Sequence, residues 1–288
     1  MPSLSFSSCE LWEKCPLAWR LTKIDHVAQA PAAPLIFGDA IHQALYMDGR
    51  AYMLGAPRMG LDDLAYAFSS GIEARLWLED PDKTLILQAQ RDDMHKDARA
   101  IFAGYVEHVQ PFYFPLAVEQ WFGQDPVIPI PDAPGWTFTG ILDARVKIGA
   151  LGHGILDFKT GKPWPAGAEH GKPQASAYLW ADQQRPVAID NPALFSRASF
   201  VMFILLPVVD GACVPQLRTT RRQPADLHAY AEHLAIVARE IDEAKASGDF
   251  TAKTGPLCGW CGCLGSCETG QDWLRSKGRE SHVPGVTL

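Results

Sequence analysis

Asp157 and Lys159 stand two residues apart at the end of a short apolar run, Gly154-Ile155-Leu156-Asp157-Phe158-Lys159-Thr160-Gly161. In a strand, side chains alternate between faces, so this acid and base project together while Phe158 turns to the core. A second carboxylate, Asp143, ends another strand-like run, Gly140-Ile141-Leu142-Asp143, fourteen residues upstream. Two carboxylates and a lysine can hold a divalent cation and a water beside a phosphate, an arrangement that would hydrolyse a phosphodiester. An isolated Asp-x-Lys triplet is also what a solvated strand end looks like, so the rest of the chain has to decide.

The elements that would position these groups are readable from periodicity and punctuation. Strand-like runs fall at 116–122, 136–148 and 153–159. Gly149-Ala150-Leu151-Gly152 reads as the hairpin connection that brings Asp143 near Asp157, and Asp132-Ala133-Pro134-Gly135 reads as a turn. Helical patterns at 35–54, 61–79 and 84–109 precede the strands, after an Ala/Pro-rich connector at 25–34. A helix over 171–184 follows, then strands near 198–206 and 212–219 and a long helix over 224–247. Ser7-x-x-Glu10 reads as a capping box, and Pro16 suits the first position of a second helix with Cys15 at the junction. The tail after Trp273 reads as loose.

Further residues cluster by spacing. Gln174 and Tyr178, at i and i+4, share one helix face. Ile41, Ala44 and Leu45 mark a buried helix face, and His42 adjoins it, where a lone histidine is usually a core residue. Cys258, Cys261 and Cys267 form C-x2-C-x5-C, a density with no local packing reason that points to a metal. Cys15 lies in a Cys-Pro dipeptide far away in sequence. Four such thiolates can hold zinc or an iron–sulfur cluster, with Cys263 and Cys9 as competing ligands. Cys213 reads as a buried free thiol. Glu119 precedes the strand-rich region and could face the site, but a solvated strand end is the preferred reading and it stays outside the core set.

In order and spacing, Ser5–Pro16, Gly38–His42, Gly140–Asp143, Asp157–Lys159, Gln174–Tyr178 and Cys258–Cys267 make the chain resemble the RecB-like, Cas4-type nucleases of the PD-(D/E)xK superfamily. The resemblance covers most of the chain. It implies an α/β fold: a restriction-endonuclease-like core, with a mixed central sheet flanked by helices, an N-terminal helical block and a C-terminal cysteine cluster. The division would be 1–110 for the helical region supplying Cys15 and His42, 111–250 for the nuclease core, and 251–288 for the cysteine segment and tail, all in one integrated domain. It implies Asp143, Asp157, the Phe158 carbonyl and His42 as ligands of Mg²⁺ or Mn²⁺. Lys159 would be the catalytic lysine, and Gln174 and Tyr178 would belong to the active-site helix. Cys15, Cys258, Cys261 and Cys267 would hold a [4Fe-4S] cluster. The implied activity is a metal-dependent DNA exonuclease acting in end processing, recombination or repair. The alternatives are a structure-specific flap endonuclease and a catalytically silent iron–sulfur or zinc module that binds nucleic acid.

Composition bounds these readings. The 288 residues, 47% hydrophobic, can bury one large core. A net charge of −7 argues against a surface that wraps duplex DNA and leaves only local basic tracks, with Lys159, Lys162 and Lys172 as one candidate and Arg218, Arg221 and Arg222 as another. The bland alternative for the arginines is a solvated loop. No signal peptide is visible, and the apolar run Phe200–Leu206 is too short to span a membrane and reads as a buried strand. Seven cysteines without a secretory signal suggest a reducing intracellular compartment. A phosphate-binding G-x-x-x-x-G-K-[ST] loop is missing, so a nuclease here acts alone or with a separate helicase, annealing or CRISPR-adaptation partner on DNA with free ends or single-stranded character. The small size resembles stand-alone phage or CRISPR-associated nucleases.

Overall fold

A computed structural model describes residues 1–29, 33–78, 88–184, 196–283, 286 and 288. The chain opens with strand β1 (Ser3–Leu4) and two short helices, α1 (Phe6–Lys14) and α2 (Pro16–Lys23). The capping residue of α1 is Ser5, whose hydroxyl accepts from the Ser8 amide, whereas Ser7 lies inside the helix; the expected Ser7–Glu10 box is therefore displaced. Cys15 is extended between the two helices, with Pro16 at the start of the second, where a missing N–H costs nothing.

Helices α3 (Ala33–Met53), α4 (Leu61–Leu78) and α5 (Gln88–His108) match the three long helical patterns. Positions 79 and 84–87 of those patterns, and 30–32 of the connector, lie outside the described residues. Strands β2 (Phe114–Phe122), β3 (Ile128–Pro129), β4 (Thr137–Phe138), β5 (Gly140–Ile148) and β6 (Gly152–Thr160) follow. After α6 (Pro173–Gln184) come β7 (Val201–Leu206), β8 (Val208–Val209), β9 (Ala212–Cys213) and β10 (Gln216–Thr220). Helices α7 (Pro224–Ser247) and α8 (Glu268–Ser276) complete the chain.

The central sheet has the order β10-β7-β6-β5-β2, with β6 and β7 parallel and the other pairs antiparallel. This is the mixed sheet flanked by helices that the sequence implied. Strand alternation sorts its residues between two cores. Ile155, Val201, Phe203 and Leu205 pack under α6 and α7, while Leu156, Phe158, Met202, Ile204 and Leu206 pack under α3, α4 and α5. With both faces covered, β7 is buried along its whole length, as its unbroken apolar run requires.

Two runs read as single strands are split. The 136–148 run divides into β4, which joins a small sheet with β1 and β3, and β5, which joins the central one. The 212–219 run divides into β9, paired with β8, and β10. The tail read as loose is packed through residue 283: Leu274 and Val283 are buried together with Leu264, and the His282 ring stacks on Trp260 at 4.1 Å. Cys213 is buried, as expected of a free thiol. No described helix is long and apolar enough to cross a membrane.

Buried ion pairs lock the layers together. Arg145 of β5 meets Asp182 of α6, and Asp182 also accepts from the Ala198 amide at 2.8 Å. On the other face Arg58 forks onto Asp48 of α3, joined by the hydroxyls of Tyr105 and Tyr113. Removing one partner of such a pair leaves an uncompensated buried charge and costs about 3–5 kcal/mol.

Candidate active site

The β5–β6 hairpin turns through Gly149–Leu151, as its sequence suggests, and its ladder runs from Ile148–Gly152 to Ala144–Leu156. The next residue on each strand is Asp143 and Asp157, so the two carboxylates stand where the strands part. Asp143 closes the gap by accepting the Phe158 amide at 2.7 Å through Oδ2.

Asp157 is buried and held on both oxygens. Its Oδ1 accepts from Tyr178 Oη at 2.9 Å and from Gln174 Nε2 at 2.9 Å, and Gln174 Nε2 also donates to Tyr178 Oη at 2.7 Å. The i, i+4 face of α6 thus delivers both side chains to one oxygen. Asp157 Oδ2 lies 2.7 Å from Lys159 Nζ, so the ammonium compensates this buried oxygen. Phe158 points the opposite way, into the core beneath α3 and α5.

Helix α3 brings His42. Gly49 lets it approach, since a Cβ there would lie 2.6 Å from Val118 Cγ1 of β2, and Gly38 faces Thr160 at the end of β6. His42 Nδ1 then lies 3.4 Å from Asp143 Oδ1, and its ring meets the edge of Phe158.

Glu119 is the residue sequence reasoning missed. It lies opposite Asp143, between the Val118–Ala144 and Gln120–Leu142 pairs, in a stretch of β2 with a φ of +45° at Glu119 itself. Ligand atoms of His42, Glu119 and Asp143 all fall within 4.8 Å of one another. The solvated strand end is corrected to a member of this group. A non-glycine residue at positive φ is the unusual feature, and a strand pattern gives no sign of it.

The electrostatics follow from crowding. Burial and the Asp143 charge push Asp157 up to about 6, against the pull of Lys159. Burial would likewise raise Asp143, but the His42 charge and contact, the Phe158 N–H and Lys159 outweigh it and hold Asp143 below the usual range. Burial opposes charge on His42, but Asp143 and Asp157 prevail and raise it to about 9. Burial and Asp143 raise Glu119. Carboxylates and an imidazole crowded into one pocket, with His42 set against Asp143 and Lys159 against Asp157, offer the ligand types of a divalent cation site.

The cysteines gather elsewhere. Cys15, Cys258, Cys261, Cys263 and Cys267 line one cavity of about 520 Å³ between α2 and the C-terminal segment. Backbone amides of Lys253, Gly255 and Gly270 each approach a sulfur at 3.4 Å, those of Cys15, Cys258 and Cys267 respectively. A Cβ on Gly270 would fall 3.3 Å from Cys267 Sγ and 3.7 Å from Cys258 Sγ, so the backbone here runs close against both sulfurs. Cys263 turns toward α2, 3.4 Å from Thr22 Oγ1. Cys9 is buried in the core under α7 and does not line the cavity.

Compared with known proteins, residues 3–268 match the model of the PD-(D/E)XK nuclease superfamily. No curated protein matches the chain. A solved structure of a candidate exonuclease from Eubacterium rectale is similar at 11% identity and a TM-score of 0.49, over 94% of this chain and 87% of that one.

Proposed function

The chain belongs to the PD-(D/E)XK nuclease superfamily, and we propose that it is a metal-dependent DNA exonuclease of the RecB-like, Cas4-type kind, working on DNA ends in recombination or repair. The observation that carries this reading is the meeting of His42, Glu119 and Asp143 with the Asp157–Lys159 pair where β5 and β6 part.

These residues fit a divalent cation. Asp157 Oδ2 is buried with Lys159 as its compensating contact, and His42, Glu119 and Asp143 offer ligand atoms within 4.8 Å of one another. Asp143 and Asp157 would hold Mg²⁺ or Mn²⁺, with Glu119, the Phe158 carbonyl and His42 completing the set; the imidazole biases it toward Mn²⁺. When bound, the ion neutralises charge at the phosphate and makes a water acidic enough to attack. Tyr178 and Gln174 fix the Asp157 carboxylate through Oδ1. Lys159, tethered to Oδ2 and one-third exposed, presents its ammonium to the phosphate and the attacking water.

The cysteine cavity supports the second cofactor, a [4Fe-4S] cluster on Cys15, Cys258, Cys261 and Cys267. Amides directed at three of these sulfurs are donors that thiolates accept well. The cluster would tie the N-terminal helices to the C-terminal segment.

Release of nucleotides from end-labelled single- and double-stranded DNA, with and without blocked ends, tests the reading. Metal-dependent release from free ends alone is the expected result. Cleavage of blocked DNA would make the enzyme an endonuclease, and no cleavage with any divalent metal would refute the proposal.

A further inference from the structure

Two basic groups far apart in sequence form one surface beside the site. The loop leaving β6 turns at Gly161, with a φ of +114°, and carries Lys162, Trp164 and Lys172 across the end of the sheet. Arg218 of β10 donates to the Trp164 carbonyl at 3.2 Å, and Arg222 donates to the Lys172 carbonyl at 2.7 Å. Lys172 Nζ lies over the Trp164 ring at 4.2 Å. The arginines thus pin the loop, and the lysines ride on it: Lys162 is exposed and Lys172 half-buried.

The charge of this surface is unbalanced. Among the described residues, Lys162, Lys172, Arg218 and Arg222 form no ion pair, whereas Arg20, Arg58, Arg99 and Arg145 each face a carboxylate. Glu169 beneath the loop is buried and faces His170. Lys172 and Arg222 also line a cavity of about 460 Å³ that Glu10, Glu13 and Asp226 share, so the positive surface ends there and Lys162 is its most exposed member.

Resting on the nuclease reading, we propose that the phosphate backbone of the DNA strand being cut runs from Lys159 along the β6–α6 loop, over Lys162 and Lys172. In a chain of net charge −7, cations outside any ion pair on the loop that follows the catalytic lysine in sequence are the surface a polyanion would select.

Fluorescence anisotropy of a labelled single-stranded oligonucleotide, in EDTA over a series of salt concentrations, tests this. Each phosphate interaction removed lowers the salt slope by about 0.7. The Lys162→Ala/Lys172→Ala protein should show a slope smaller by about 1.4 and bind roughly 25-fold more weakly at 0.1 M salt. Lys162→Arg/Lys172→Arg, which keeps both charges, should bind as wild type. So should Lys147→Ala, which removes an exposed lysine from the far end of β5. Wild-type affinity and slope in the double alanine protein, with wild type binding and cutting DNA, would overturn the track and leave the nuclease standing. Weaker binding with an unchanged slope would also overturn it, because lysine–phosphate pairing would then not be what the substitutions removed. If wild type neither binds nor cuts DNA, the nuclease reading fails with it.

Discussion

Tyr178 donates its hydroxyl to Asp157 Oδ1 at 2.9 Å, and this leaves the other oxygen to Lys159. One carboxylate is thereby divided between a structural face and a reactive face. The division depends on α6 lying over β6, which the buried Arg145–Asp182 pair secures.

Tyr178→Phe removes the donor and keeps the ring. A hydrogen bond to a charged group contributes about 1.5–3 kcal/mol, so kcat should fall roughly 10- to 100-fold with DNA affinity unchanged. Steady-state kinetics checks this. A variant with wild-type kcat would mean that Gln174 alone orients Asp157.

Metal binding should release protons. His42, raised to about 9, is protonated at pH 7 and must lose its proton to become a ligand, while Asp157, raised to about 6, is mostly ionised there. Calorimetric titration of Mn²⁺ at pH 7, in buffers of different ionisation enthalpy, should report about one proton released per ion. Affinity should rise as pH climbs toward 9. His42→Ala should release only the small Asp157 fraction, roughly a tenth of a proton. Equal release from both proteins would remove His42 from the ligand set.

Glu119→Gln keeps the size of the side chain and removes its charge. Loss of one carboxylate from the group should weaken Mn²⁺ binding and slow cleavage at low metal, with recovery at high metal. Metal titration of activity measures this. An unchanged titration would return Glu119 to the role of a partly buried strand residue.

Anaerobically purified protein should contain iron and acid-labile sulfide. Cys15→Ser and Cys258→Ser should lower cluster content and solubility, because metal binding couples to folding. Cys9→Ser should do neither, since Cys9 lies outside the cavity. Stoichiometric zinc without iron would replace the cluster and leave the nuclease intact.

The sequence was most legible where local pattern decides structure. The hairpin joining Asp143 to Asp157 follows from glycines and alternation, and α7 occupies the residues its periodicity marks. It was least legible where distant segments meet. Ser3 pairs with Thr137, which no local pattern records and which explains why the 136–148 run splits between two sheets. The tail becomes ordered because Leu274 and Val283 find Leu264 across the cysteine segment. Glu119 escaped because its backbone departs from the strand whose pattern was used to place it. Pairing of the two basic groups likewise depends on Arg218 and Arg222 reaching back to the β6–α6 loop.

The most direct test is nucleotide release from end-labelled DNA by Asp157→Ala and Lys159→Ala proteins beside wild type, each checked for folding by circular dichroism. Asp157 carries a charge that the fold disfavours, so its removal should leave the protein folded. Both variants should lose more than about a thousandfold in cleavage rate while still binding DNA, because each residue meets the reacting phosphate or its cation. Wild-type cleavage by a folded Asp157→Ala protein would contradict the assignment of this site.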